Sequence, residues 1–480
     1  MERLKKIGKI KAKNASEINH SKLGIGFEKL DRDAFDPEKA YDKVAALGVK
    51  WVRIQSGWAK TEKEKGVYDF SWLDKVVDNL ISRGLKPWIC LCYGNGLYDE
   101  KANEVYGAVG IPPIYNEEDR LGWSNYVSAL AFYFKDRVEY FEVWNEPDCW
   151  YSWDFKYDIA KEYGNFVIAT SKAIHKGNSN AKVIGGALGA RDIHWIDDAF
   201  STGMLDFVDY ISYHGYQINP ALDNLKPDYL RAIIDKYNPS IGLIQGEAGF
   251  QSSNKGAGEL GGGSWTPLKQ AKCLLRSLTF DMSKDILFSS YFSCMDMREG
   301  LHGRVNDKAS YMDFGYFGVL GADFDENGNA SGNYTPKPSY YALSNLAAIF
   351  SEEFQHVKLP VIREVNDSKR AMGKDCNDCT IISLGFSKPN GSYALTYWNS
   401  TDVMHTTFES TVSFSCAMLP EKVRLIDPLN GDIYEIPEDI LEIKENGHIK
   451  LKNLPILDYP LFITFGEFFD NNIESKTEKK

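Results

Sequence analysis

Between residues 22 and 350, short apolar runs alternate with amphipathic stretches, and this alternation constrains the fold more than any other feature. The runs cover residues 24–27, 50–55, 85–92, 138–144, 181–188, 207–213, 241–247 and 286–292. They are brief and rich in Val and Ile, as strands covered on both faces are. Helical periodicity lies between them. Asp36 is placed to cap a first helix with Pro37 at its start, and Tyr41, Val44, Ala45 and Gly48 share one face. Ser71 is placed to cap a second helix. Leu73, Val76, Val77, Leu80 and Ile81 recur on one face there, before Arg83-Gly84 ends it. Further helices are predicted near 118–135, 157–175, 194–201, 226–237, 266–283 and 339–350.

Alternation of this kind requires parallel pairing through right-handed crossovers. Eight units in succession predict an α/β fold, a (β/α)8 TIM barrel over 21–351. An open doubly wound sheet would carry a Gly-rich phosphate loop after its first strand. Here Glu28-Lys29-Leu30-Asp31 follows instead.

After Phe350 the pattern changes to short strands with turns, near 357–364, 380–386, 392–398, 407–415, 422–427, 448–453 and 460–466. Asn430-Gly431 is a hairpin signal. This spacing predicts a C-terminal β-sandwich over 352–470. Residues 1–20 form an N-terminal arm whose Ile10 and Ala12 alternate with lysines, so it could add a strand to the sandwich. Residues 471–480 are polar and expected to be a disordered tail.

The net charge of −12 on 480 residues disfavours phosphate backbones and anionic lipid. The one basic run, Arg3 to Lys13, has no interleaved aromatic residues and reads as a solvated arm. No run approaches 18 apolar residues, so no membrane span is expected. The basic N-terminus lacks the apolar core of a signal peptide, and the eight Cys are scattered, so the expected location is cytoplasmic, with free thiols. Cys376 and Cys379 make a lone C-x-x-C, read as loop thiols. The eight His form no ligand cluster at predicted strand ends, so no metal and no cofactor are expected.

Two segments carry chemistry. Phe141-Glu142-Val143-Trp144-Asn145-Glu146-Pro147 is an apolar strand that ends in a charge. In a barrel that end is the catalytic face. A carboxyl beside Trp144 would be partly desolvated, which favours the protonated form that a general acid needs. Ile241 to Gly249 repeats the pattern with Glu247 between glycines. By strand count Glu146 ends the fourth strand and Glu247 the seventh. Two carboxyls across a barrel mouth suit glycoside hydrolysis, with retention at ~5–5.5 Å and inversion at ~6.5–9.5 Å.

On these residues the chain resembles the clan A glycoside hydrolases, retaining enzymes on (β/α)8 barrels. Asn145, Glu146 and Pro147 match their acid/base setting, and Glu247 matches their nucleophile. Within the clan it looks most like glycoside hydrolase family 39, the β-xylosidase-like family. Residues 141–147, Ser-Tyr-His-Gly-Tyr (212–216), Gly-Tyr-Phe-Gly-Val-Leu (315–320) and Lys-Pro-Ser-Tyr-Tyr-Ala-Leu (337–343) carry that likeness. There are two departures. Phe292 takes the place of the family's Trp over the sugar, and Gln55 the place of a His after the second-strand Arg.

The resemblance implies that Asn145 binds the sugar 2-hydroxyl and that Arg53 keeps the nucleophile ionised. His214 and Tyr216 are candidates for sugar or nucleophile contact, with a structural role as the alternative for His214. Trp150 and Trp153 are either sugar-stacking walls or packing against the next helix. The Gly-rich loop 256–265 is either a lid or a plain flexible loop, and 293–336 is a second candidate wall.

The expected function is a retaining, exo-acting β-glycosidase, β-xylosidase-like, on small oligosaccharides or glycosides. Glu247 is expected to attack and Glu146 to act as acid and then base. The rivals are another clan A specificity (β-galactosidase, β-glucosidase or α-L-arabinofuranosidase) and a silent carbohydrate-binding barrel. The expected partner is a small carbohydrate, with no nucleic acid and no membrane; a homo-oligomer is left open.

Overall fold

The computed structural model describes residues 1–104, 112–149, 158–189, 192–220, 226–299, 312–364, 381–417, 421–469 and 473–475. Eight parallel strands close into a barrel. They are β1 (Leu23–Gly26), β2 (Trp51–Gln55), β3 (Lys86–Leu91), β4 (Tyr140–Val143), β5 (Lys182–Leu188), β6 (Tyr210–His214), β7 (Gly242–Ala248) and β8 (Ser289–Tyr291). Each apolar run of the sequence supplies one strand. β8 closes the barrel by pairing with both β7 and β1.

A helix follows each strand: α1 (Tyr41–Ala45), α2 (Ser71–Ser82), α3 (Glu117–Tyr133), α4 (Ile159–Gly177), α5 (Ile193–Phe200), α6 (Lys226–Tyr237), α7 (Pro267–Asp281) and α8 (Pro338–Ile349). Asp36 does cap, but the element that it caps is a 3-10 turn, Pro37–Lys39, ahead of a five-residue α1. Ser71 is not the cap of α2. Phe70 occupies that position, and Asp69 Oδ1 accepts from the Ser71 N–H at 3.0 Å. A carboxylate two residues upstream outcompetes the hydroxyl for the first free N–H groups.

The C-terminal strands make a β-sandwich of two sheets. The larger runs in the order Gln355–Val357, Ile381–Ser387, Tyr393–Asn399, Leu461–Phe465, Arg424–Asp427, Asp432–Glu435, Lys5–Ile10, Ile473–Ser475. The smaller runs Val361–Arg363, Glu409–Cys416, Ile449–Leu457, Leu441–Ile443. Tyr397 links the two, with its ring 5.3 Å from Phe414 and its hydroxyl donating to the Pro455 carbonyl at 3.0 Å. One strand predicted over 357–364 is two. The chain breaks at Leu359-Pro360 and changes sheets, because Pro has no N–H for a ladder. The Asn430-Gly431 hairpin pairs Arg424–Asp427 with Asp432–Glu435, and Gly431 takes a φ of 72°. In the 471–480 segment, Ile473–Ser475 pair with Gly8–Ile10, and 476–480 lie outside the described residues. So do Cys376 and Cys379.

Barrel and sandwich meet through buried charge. Lys272 of α7 pairs with Asp458 at 2.9 Å, both side chains almost wholly buried. Arg276, one turn on, donates to the carbonyls of Asp458, Asn399 and Thr401 and to Asn219 Oδ1.

Candidate active site

The centre of the site is the Arg53 guanidinium, fully buried on β2. Nε and Nη2 donate to Glu142 Oε2 at 2.9 and 2.6 Å. Nη1 donates to Glu247 Oε2 at 2.6 Å and to Glu28 Oε2 at 3.0 Å. Nη2 also donates to Asn145 Oδ1 at 2.8 Å, which leaves the Asn145 amide N–H2 as its donor side. Three strands thus send groups to one cation on a fourth. A buried cation needs such pairing, since its desolvation is otherwise several kcal/mol.

β4 delivers Asn145 and Glu146 through an irregular end. Trp144 and Glu146 both have left-handed φ, 69° and 47°. Each such residue costs about 1–3 kcal/mol and breaks the strand's alternation. Trp144 is buried among Tyr93, Trp123 and Phe166, with ring centroids 5.7–5.9 Å away. The Glu146 carboxyl meets His214, whose Nδ1 lies 2.8 Å from Glu146 Oε1. Gly189 of the next strand end comes close enough that a Cβ there would stand 3.0 Å from Glu146 Oε1.

β7 delivers Glu247, whose side chain keeps 12% of its exposure. The Tyr216 hydroxyl donates to its Oε1 at 2.6 Å. Burial, then the Glu247 charge and this hydrogen bond, push the Tyr216 phenol well up, so it stays a donor. Gly249 is obligatory at this end, because a Cβ there would meet the Phe292 carbonyl oxygen at 2.0 Å.

His214 Nε2 is 4.0 Å from Glu247 Oε2, so one imidazole stands between the two glutamates. Burial alone would lower its pKa, but the Glu247 charge and the bond to Glu146 outweigh it and raise it. Glu146, His214 and Glu247 each place one donor atom within 4.8 Å of the others. That set has ligand chemistry for a cation, a juxtaposition the sequence alone did not show. Arg53 already supplies a positive charge 2.6 Å from Glu247, which opposes a metal there.

Phe292 is buried at the end of β8, 6.5 Å from the Tyr216 ring and 5.4 Å from Phe317. Tyr216 and Phe317 are 5.9 Å apart, so three rings form a wall beside Glu247. Gln55 accepts from the Lys29 N–H at 2.9 Å and donates to the Tyr93 hydroxyl at 3.2 Å, anchoring the chain after β1. The 256–265 loop has no regular structure but is tied down. Gln251 Nε2 donates to the Ala257 and Glu259 carbonyls, and Trp265 Nε1 to the Leu260 carbonyl. The Glu259 carboxyl is raised by partial burial and then by the charges of Glu146 and Glu247, which places this loop at the mouth. Trp150 and Trp153 lie outside the described residues.

Sequence reasoning passed over Glu28, Glu142 and Phe317. A signal existed for the first two: a carboxylate inside or just after an apolar strand needs a buried cation as partner.

Residues 37–226 match the family model for glycosyl hydrolases family 39. A curated β-xylosidase of Geobacillus stearothermophilus is 26% identical over 164 residues, 32% of this chain and 31% of that protein. The match thus spans about a third of the relative's length. Two solved structures share the fold across nearly the whole chain. A family 39 glycoside hydrolase of Bacteroides cellulosilyticus WH2 has a TM-score of 0.65 at 19% identity, covering 93% of this chain and 81% of that one. A monomeric β-xylosidase of Caulobacter crescentus CB15 has 0.57 at 15% identity, covering 95% and 97%. Over residues 37–226 the chain is similar to the glycosyl hydrolases of family 39, and it shares its fold with solved family 39 structures.

Proposed function

We propose that the protein is a retaining, exo-acting β-glycosidase of β-xylosidase type. The observation that carries this is the Glu146–Glu247 pair, with carboxylate oxygens within 4.8 Å of each other. An oxygen-to-oxygen approach of that size supports the retaining arrangement, whose carboxyl groups stand ~5–5.5 Å apart, over the inverting one at ~6.5–9.5 Å. Glu247 is the nucleophile, held by Arg53 and Tyr216. Its oxygen bonds to the anomeric carbon as the bond to the leaving oxygen breaks, and that oxygen takes the Glu146 proton. Glu146 then accepts a proton from the water that cleaves the glycosyl ester. Asn145 binds the 2-hydroxyl, and Phe292, Tyr216 and Phe317 pack on the sugar.

The reading includes a small carbohydrate substrate, a catalytic barrel over 21–351 and a sandwich over 352–470. Six free thiols among the described residues support a reducing, cytoplasmic location. No helix among the described residues is long and apolar enough to cross a membrane.

A panel of aryl β-glycosides tests this. Turnover should be highest on the β-xyloside, and Glu247→Ala should lose on the order of 10^4-fold or more. Glu146→Ala should lose more on poor leaving groups than on good ones. Equal losses on both would remove Glu146 as the acid. One observation favours a second reading within the clan: Phe292 is smaller than a Trp over the sugar. Preference for a β-galactoside, β-glucoside or α-L-arabinofuranoside would decide for it. Binding without turnover across the panel would revive a silent binding barrel.

A further inference from the structure

The retaining reading assigns no work to Glu28, although it sits on the same guanidinium nitrogen as Glu247. Its Oε2 accepts from Arg53 Nη1 at 3.0 Å, beside the 2.6 Å bond to Glu247. Its side chain is 3% exposed. Its Oε1 has no hydrogen-bond partner among the described residues. That oxygen lies where a Cβ on Gly26 would stand 2.7 Å from it and 3.5 Å from the Phe292 ring, an apolar setting. Lys29, next in the chain, does not neutralise it. Lys29 Nζ donates to the Arg298 carbonyl, pairs with Glu299 at 3.1 Å and lies over the Phe292 ring.

We propose that Glu28 is a positioning residue of the reaction, which takes over Nη1 of Arg53 as Glu247 gives its charge to the anomeric carbon. The inference rests on the retaining reading above. In the resting site Arg53 faces Glu142, Glu247 and Glu28. Once Glu247 is an ester, Nη1 loses an anion, while Glu142 stays on Nε and Nη2. Glu28 is the remaining carboxyl on that nitrogen.

Its proton balance fits this task. Burial pushes the Glu28 carboxyl up to about 7, against the Arg53 charge and with the Glu247 charge. His214 lowers it and Glu142 raises it. The Tyr216 phenol and Cys294 thiol also face its charge. When the Glu247 charge is consumed, one raising cause disappears. Glu28 becomes more acidic, its proton passes to solvent, and its anion stays on Arg53.

The experiment is kcat/KM on 4-nitrophenyl β-xyloside against pH for the wild type, Glu28→Gln and Glu28→Asp. Near pH 5 Glu28 is protonated, so the neutral Gln variant should stay within about 3-fold of wild type. By about pH 8.5 the Gln variant should fall about 10-fold further behind, while the Asp variant follows the wild-type profile. Asp119→Asn is the control, a buried carboxyl at the start of α3 that is also raised, to about 6. Its ratio to wild type should be flat. A flat ratio for Glu28→Gln overturns the proposal and leaves a structural role. If Glu28→Gln does not fold, Glu28→Ala is read by the same criterion. A wild type that turns over no aryl glycoside sinks the retaining reading instead.

Discussion

The foot and the mouth of the barrel are built by the same strands and filled in opposite ways. At the foot, Trp51, Trp88, Ile184, Ile244 and Phe288 make a closed apolar cluster, with Trp51 stacked on Phe288 at 4.4 Å. Two residues further along seven of the eight strands, β2 to β8, the inward position changes character. Trp51 gives way to Arg53, Trp88 to Cys90, Tyr140 to Glu142, Ile184 to Gly186, Tyr210 to Ser212, Ile244 to Gly246 and Phe288 to Ser290. The mouth layer is thus one large ion pair surrounded by small residues. Gly246 shows why: a Cβ there would meet Ser212 Oγ at 2.2 Å and Glu142 Oε1 at 3.3 Å. The Arg53 guanidinium lies over the Trp88 ring at 5.5 Å, so the layers also touch. The foot holds shape by filling space. The mouth holds charge in a fixed geometry, at the expense of left-handed backbone at Trp144 and Glu146.

That contrast can be broken at either end. The largest effect is expected for Arg53→Met, which strands Glu142, Glu28 and Glu247 together. Loss of one partner from a buried pair costs about 3–5 kcal/mol, so denaturant unfolding should show at least that, with turnover abolished. Full activity in a folded Arg53→Met protein would end the reading of Arg53 as the site's centre. Phe288→Ala should cost a comparable or smaller amount, about 3–5 kcal/mol, through a cavity. It should leave the pH profile of kcat/KM in place, since no charge changes. A displaced profile would mean that the two layers are coupled more tightly than their contact implies.

The smallest effect is expected for His214→Asn, measured as thermal stability against pH. The His214 pKa is raised in the folded state. Its contribution is therefore complete below the unfolded value of about 6.5 and is lost as pH rises through the folded value. The gap in Tm between wild type and variant should be widest in acid and should narrow as pH rises through the raised folded value. A gap that widens with pH would place a neutral imidazole between the glutamates.

The eight-fold alternation was legible because buried parallel strands and amphipathic helices leave different periods. The carboxylates at the ends of β4 and β7 were legible because a charge ending an apolar strand is rare. Other features were not. Glu28 read as the start of a loop, and Glu142 as part of a strand, since neither shows its partner until Arg53 of another strand is beside it. The break at Pro360 could be foreseen as a strand end, but not the change of sheet. The Ser71 cap failed because its rival, Asp69, lies outside the helix.

By itself the sequence determined the order of elements, the barrel and the two glutamates, because these follow from periodicity along the chain. Tertiary structure decided that Glu146 meets His214, that Tyr216 and Arg53 both hold Glu247, and that Glu28 shares a nitrogen with it. Those contacts join strands tens to hundreds of residues apart. Their energies depend on distances of a few ångströms in a buried setting, which no local pattern encodes.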